Sequence, residues 1–262
     1  MECKNCKNPL PTDFNFCPDC GAKVISYRLT FKNLWHEVIE GFFDLDNTFF
    51  RTFIHLFTKP AEVIDGYISG IRKKHLNPIS YFGIALTLSG LTIYLIQKVF
   101  DVKMDLDVFN QGVNPELYQK IMPVIMDFSS LVFVLFIPIF GIAGWLTFNK
   151  KGYVFSEYLI VFLYTLAHWS IVSFPVSLIM ILFAPDEYME LSTIMLPLMV
   201  AYSIYVMQRI NKFSAGKFIL RMCLFLILAF IGYLGIIIAF YAILFATGTI
   251  TMEDLKTVKK QP

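Results

Sequence analysis

Four cysteines near the amino terminus form the clearest candidate chemical site in the sequence. They fall in two C-x-x-C pairs, Cys3 with Cys6 and Cys17 with Cys20. Each pair can place two sulfurs on one ion from a tight turn, and the short link can fold back to complete a tetrahedral S4 shell. Gly21 can adopt the positive φ with which the chain would leave the metal. The spacing predicts a structural Zn²⁺ site, with iron or redox chemistry as alternatives.

The surroundings of these cysteines favour metal over disulfides. Residues 1–26, which we call the head, show no charged n-region followed by an apolar core and a cleavage site, so we expect a cytoplasmic head with reduced thiols. Four cysteine ligands leave no position for a catalytic water. Three lysines balance three acids, so the head lacks the basic stripe that nucleic acid requires. We expect a zinc-ribbon knuckle whose miniature core is Leu10, Phe14 and Phe16, and which docks protein or only caps the chain.

The composition of the whole chain is that of a membrane protein. Of the 262 residues, 56% are hydrophobic and 16% are charged, and the mean hydropathy is +0.62. Soluble domains carry roughly a quarter charged residues. The net charge of +2 provides no global basic field. The sequence therefore predicts an all-α polytopic membrane protein that carries a zinc-ribbon head and amphipathic helices.

About five transmembrane helices are predicted within a bundle of residues 78–250. The apolar stretches are 79–97, 128–148, 158–184, 193–207 and 222–247. Lysine and arginine concentrate in the loops at 149–156 and 208–221, so the positive-inside rule places both loops and the amino terminus in the cytoplasm. Residues 98–127 are predicted to be a polar outer loop, and 251–262 a polar tail. An even number of spans is the alternative.

Residues 27–77, which we call the collar, show three amphipathic helical patterns. Residues 31–57 hold two basic and four acidic side chains, which favours packing on the bundle or on a second copy over binding to anionic lipid. The third pattern ends in Arg72, Lys73 and Lys74, which we interpret as a membrane-anchoring basic cluster, with a specific lipid-headgroup site as the alternative. The collar histidines are interpreted as solvated.

His168 is the strongest candidate for chemistry inside the membrane, with Tyr164 one turn before it. An ionisable residue within a span suggests a functional site, but a neutral histidine can also hold helices together. The sequence contains no H-E-x-x-H pair and no serine with an evident base, so no enzymatic activity is predicted.

The order of these parts resembles the bacterial membrane family catalogued as domain of unknown function 3667. The resemblance covers the head and collar and rests on the positions of Thr52, Pro60, Tyr67, Gly70, Arg72, Asn77 and Pro78. Lys7 departs from the glycine that many ribbons carry after the first cysteine pair. The resemblance implies a multi-pass protein of the bacterial inner membrane with a cytoplasmic zinc ribbon, and it brings no established activity.

Together these patterns predict an integral membrane scaffold or adaptor that presents a cytoplasmic zinc-ribbon docking module. The expected partners are membrane lipid and either another protein or a second copy, bound through the head and collar. The alternative is a small transporter or lipid-handling protein that uses the bundle interior near His168.

Overall fold

The computed structural model describes residues 2–3, 6–11, 14–19, 48–71, 74–96, 115–185, 188–251 and 254. The chain divides into two compact units, Met1–Asn47 and Thr48–Pro262. In the first unit an isolated antiparallel bridge joins Glu2 and Pro9, and the described residues contain no strand. The amphipathic helix predicted before residue 48, and Cys20 with it, lie outside the described residues.

The described part of the second unit is helical throughout. Its helices are α1 (48–58), α2 (Pro60–Ile68), α3 (Pro78–Tyr94), α4 (Pro115–Phe148), α5 (Phe155–Phe183), α6 (Tyr188–Thr193), α7 (Met195–Asn211) and α8 (Ala215–Ala246). Each predicted apolar span overlaps one of the long helices α3, α4, α5, α7 and α8. The predicted all-α architecture is therefore confirmed for this part of the chain.

Local sequence signals account for the collar helix ends. Pro60 and Pro78 stand in the first turns of α2 and α3, where a missing N–H costs no helical hydrogen bond. The Asn77 side chain caps α3 by accepting from the Ser80 N–H at 2.8 Å. Gly70, at φ +101°, ends α2 while the Ile71 N–H donates to the Gly66 carbonyl at 2.8 Å.

Two of the helices are long and apolar enough to cross a membrane, α5 and α8. Two further apolar helical stretches, Pro78–Tyr94 and Val134–Phe148, lie in α3 and α4. Two candidate spans are thus present in the described chain, and the full count of five stays a prediction.

The prediction of an outer loop at 98–127 is wrong for its second half, because α4 already begins at Pro115. The early part of α4 is amphipathic rather than simply polar. Its Leu117 and Ile121 pack with Leu244 in the last turn of α8 and with Ile250 just beyond that helix. This buried apolar face stabilises the helix through tertiary contacts, and the mixed charges of the segment made it look like a polar loop in the sequence.

Two glycines lie at close contacts between helices of the bundle. A Cβ placed on Gly144 would lie 2.7 Å from Cε2 of Phe162 on α5, and one on Gly232 would lie 2.4 Å from Cγ2 of Ile139 on α4. Gly235, one turn after Gly232, has no such neighbour within 4 Å. Small residues at these two positions let α4 approach α5 and α8, as is common in membrane bundles.

Candidate metal centre and docked collar

Three of the four predicted metal ligands converge in the head. The Sγ atoms of Cys3, Cys6 and Cys17 lie within 4.8 Å of one another, and those of Cys6 and Cys17 are 3.6 Å apart. A disulfide would require about 2.05 Å. Thiolates around a tetrahedral Zn²⁺, at about 2.3 Å from the ion, lie about 3.8 Å from each other. The arrangement is compatible with metal binding, and soft sulfur donors suit zinc.

The backbone around the first pair is shaped for this convergence. The Lys7 N–H donates to the Cys3 carbonyl at 2.9 Å, and the Cys3 N–H donates to the Asn8 carbonyl at 2.9 Å. Lys7 adopts φ +66°, a left-handed conformation that favours glycine. The Asn8 side chain then donates to the Asp19 carboxylate at 2.8 Å and so links the two cysteine turns. Lys7 therefore occupies the backbone position for which glycine is suited.

The predicted miniature core of the head is wrong in two of its three members. Leu10 is 5% exposed and packs with the cysteines, whereas Phe14 and Phe16 are 41% and 55% exposed. Among the described residues of the head, the buried centre consists of cysteine side chains and one aliphatic side chain. The rings of Phe14 and Phe16 remain exposed.

His168 is fully buried where the collar meets the bundle. Its ring lies 5.0 Å from that of Phe53 and 4.4 Å from that of Phe57 on α1, centroid to centroid, and 5.3 Å from that of Tyr202 on α7. Its Nδ1 shares a hydrogen bond of 2.8 Å with the Tyr81 hydroxyl on α3. Its Nε2 has no hydrogen-bond partner among the described residues. The imidazole thus joins four helices.

Tyr164 acts at a different place from His168. Its hydroxyl donates to the Leu76 carbonyl at 2.6 Å, while the Leu76 N–H donates to the Thr52 hydroxyl at 2.8 Å. The Thr52 hydroxyl in turn donates a hydrogen bond to the Thr48 carbonyl at 2.7 Å. The backbone of Leu76 is therefore satisfied on both sides inside a buried region, which fixes the link between the collar and α3.

Side chains of α7 cap the end of α1. The last carbonyls of a helix lack partners within it and must find them elsewhere. The Tyr202 hydroxyl donates to the carbonyl of residue 56 at 3.1 Å, the Tyr205 hydroxyl to that of residue 57 at 2.6 Å, and Arg209 to that of residue 58 at 3.1 Å. These three residues share one face of α7 at helical spacing. The prediction that the collar packs on the bundle holds for its described helices.

The structure pairs two collar histidines that the sequence placed apart. His55 Nδ1 and His75 Nε2 lie 2.9 Å from each other, so one ring nitrogen donates and the other accepts. Burial, reinforced by the nearby His55 and Lys74, lowers the pKa of His75 to about 4. The twenty-residue separation hid this pair, because only the turn after α2 brings the two rings together.

Lys74 is the described member of the predicted basic cluster, since Arg72 and Lys73 lie outside the described residues. Its ammonium contacts the Glu62 carboxylate on α2 at 2.5 Å, and this hydrogen bond lowers the pKa of Glu62. Its carbonyl accepts from Arg51 at 3.4 Å. Lys74 therefore serves contacts within the collar, and membrane anchoring by the cluster stays a prediction.

The described chain is an all-helical protein with two candidate membrane spans and a head in which three cysteines converge. Residues 46–90 match the family described as "Protein of unknown function (DUF3667)", which confirms the resemblance seen in the collar. The matched segment contains α1, α2 and most of α3, with both the Thr52 link and the histidine pair. No curated protein matches the chain, and no solved structure matches it.

Proposed function

We propose that this protein is a membrane-embedded scaffold or adaptor whose zinc-bound head recruits a protein partner, or a second copy, at the cytoplasmic face. The convergence of the Cys3, Cys6 and Cys17 sulfurs is the observation that carries the proposal. With Leu10 as its one buried aliphatic side chain among the described residues, the head depends on the ion for most of its folding energy.

The outward aromatic residues support a docking role for the head. Phe14 and Phe16 expose large apolar rings on a head that carries no net charge. Aromatic side chains are enriched at the centres of protein interfaces, where desolvation of a ring contributes strongly to binding. A site for phosphate groups would require basic side chains, which a neutral surface with exposed aromatic rings does not supply.

The packing of the collar on the bundle favours a static anchor rather than a transport path. Aromatic rings enclose His168, and one ring nitrogen is engaged by Tyr81. The Nε2 atom, which has no hydrogen-bond partner in the described part of the chain, is an observation that favours the transport alternative. We propose that α5, α8 and the other apolar helices anchor the head in the bacterial inner membrane, and that the basic loops face the cytoplasm.

Co-purification from mild detergent tests this proposal with the full chain. Replacing Cys3 and Cys6 by serine should release both zinc and the partner. Replacing Phe14 and Phe16 by serine should release the partner and retain the zinc. Cys223→Ser is the matched control, because Cys223 is an exposed cysteine of α8 and should change neither.

His168→Ala separates the two candidate functions. The scaffold account expects the same partner to be recovered with the folded variant as with the unmodified protein. Recovery that survives loss of the head cysteines but fails in His168→Ala would contradict it and favour the bundle interior.

A further inference from the structure

A basic pocket opens between the collar and two loops of the bundle, and we propose that it binds a phosphate group. Its volume is about 340 Å³, and it lies among α2, the loop between α4 and α5, and the end of α7. Three lysines line it, Lys150, Lys151 and Lys212, together with Asp65 and Asn211. The proposed anion site does not depend on the head or on any protein partner.

The charges around the pocket leave two ammonium groups for a ligand. Asp65 is already satisfied, because its carboxylate contacts Lys151 and accepts from the Tyr153 hydroxyl at 2.9 Å. Lys150 donates to the Lys212 carbonyl at 3.2 Å and has further N–H groups to offer. Within the part of the chain that the structure describes, the Lys212 ammonium has no carboxylate partner. The lining carries a net charge of +2, from three lysines and one aspartate.

Tyr153 keeps the carboxylate occupied. Burial, together with the hydrogen bond to Asp65, raises the pKa of Tyr153 well above its usual value, so its hydroxyl stays protonated and donates at physiological pH. The Asp65 carboxylate is therefore engaged by Tyr153 and Lys151 and does not pair with Lys150 or Lys212. Removing this carboxylate should leave the pocket more positive.

The walls of the pocket are held before any ligand arrives. The Asn149 side chain accepts from the Tyr153 N–H at 2.8 Å and donates to the Tyr153 carbonyl at 2.7 Å. The Asn211 side chain accepts from the Lys150 N–H at 3.2 Å and donates to the Met207 carbonyl at 3.1 Å. Because these loops are already ordered, an anion would lose little free energy in arranging its lysine donors.

A phosphate group suits this site better than a carboxylate. It carries one to two negative charges with several acceptor oxygens, which matches two ammonium groups approaching from different loops. The pocket is larger than inorganic phosphate alone requires, so a phospholipid headgroup and a soluble phosphate ester are both sources of this chemistry. Basic pockets between helices on the cytoplasmic side recognise anionic headgroups in other membrane proteins.

The test measures binding to the purified full chain in a neutral detergent by native mass spectrometry and by shifts in melting temperature. The probes are phosphatidylglycerol, phosphatidylcholine as the lipid without net charge, and inorganic phosphate. The double variant Lys150→Gln, Lys212→Gln should bind the anionic probe at least about tenfold more weakly. Lys217→Gln is the matched control, since Lys217 is exposed at the start of α8 and outside the pocket.

A variant with the opposite effect guards against misfolding as the explanation. Asp65→Asn removes the carboxylate and frees Lys151, so it should bind the anionic probe more tightly, which a misfolded protein would not do. Saturable binding of phosphatidylglycerol alone assigns a lipid source, and saturable binding of inorganic phosphate assigns a soluble one. The proposal is overturned if neither probe binds, or if the double variant and Lys217→Gln bind equally well.

Discussion

Alanine at Gly232 tests a close contact between α4 and α8. Its Cβ would lie 2.4 Å from Ile139 Cγ2, whereas carbon atoms in contact prefer about 3.5–4.0 Å, so the overlap exceeds about 1 Å. Rotation of Ile139 brings little relief, because Cγ2 is bonded directly to Cβ and a β-branched side chain in a helix is restricted at χ1. The helices α4 and α8 must separate, at a cost of about 1–3 kcal/mol in the free energy of unfolding.

Unfolding of the full chain by SDS, titrated into mixed micelles and followed by circular dichroism, measures this loss. Gly235→Ala is the control on the same helix, because nothing lies within 4 Å of its added Cβ. Alanine there should be neutral or stabilising by up to about 1 kcal/mol, as expected for glycine replacement in a helix. In an Ile139→Ala background, Gly232→Ala should cost little. Equal unfolding free energies for Gly232→Ala and Gly235→Ala would refute the contact.

Three further outcomes are expected. Lys7→Gly relieves a left-handed backbone and should tighten zinc binding in a chelator competition by about 0.5–1 kcal/mol; unchanged affinity would contradict the observed turn. Tyr81→Phe should lower the free energy of unfolding in SDS by about 1–3 kcal/mol, because it leaves the buried Nδ1 of His168 without its hydrogen bond. In a His168→Leu background the same change should cost much less. Equal costs in the two backgrounds would refute the shared hydrogen bond. The pKa of His75 is lower in the folded protein than its unfolded value near 6.5. The contribution of His75 to stability is therefore present above about pH 6.5 and is lost as the pH falls toward 4. His75→Gln should flatten the pH dependence of the melting temperature over that range.

The docking of the collar could be foreseen in outline from its sequence. The net negative charge of the amphipathic patterns argued against anionic lipid and favoured packing on the bundle or on a second copy. The rings of Phe53 and Phe57 do lie against His168. Periodicity identifies the buried face of a helix, because that face must meet another apolar surface, but it does not identify which surface that is.

The partners within the contact depended on distant parts of the chain. No local pattern shows that Tyr205 caps the carbonyl end of α1 or that His55 meets His75. Such pairs arise from how helices are placed after folding, and a single sequence records only spacing along the chain. The outward position of Phe16 was missed for the opposite reason, since its hydrophobicity suggested a core that the cysteine sulfurs already fill.

Zinc content of the purified full chain is the most direct test of the central claim that a metal-folded head is carried by a helical membrane bundle. Elemental analysis should find one zinc per chain, retained in Cys223→Ser and lost when both Cys3 and Cys17 are replaced by serine. A metal-free protein, or a double variant with undiminished zinc, would contradict the account.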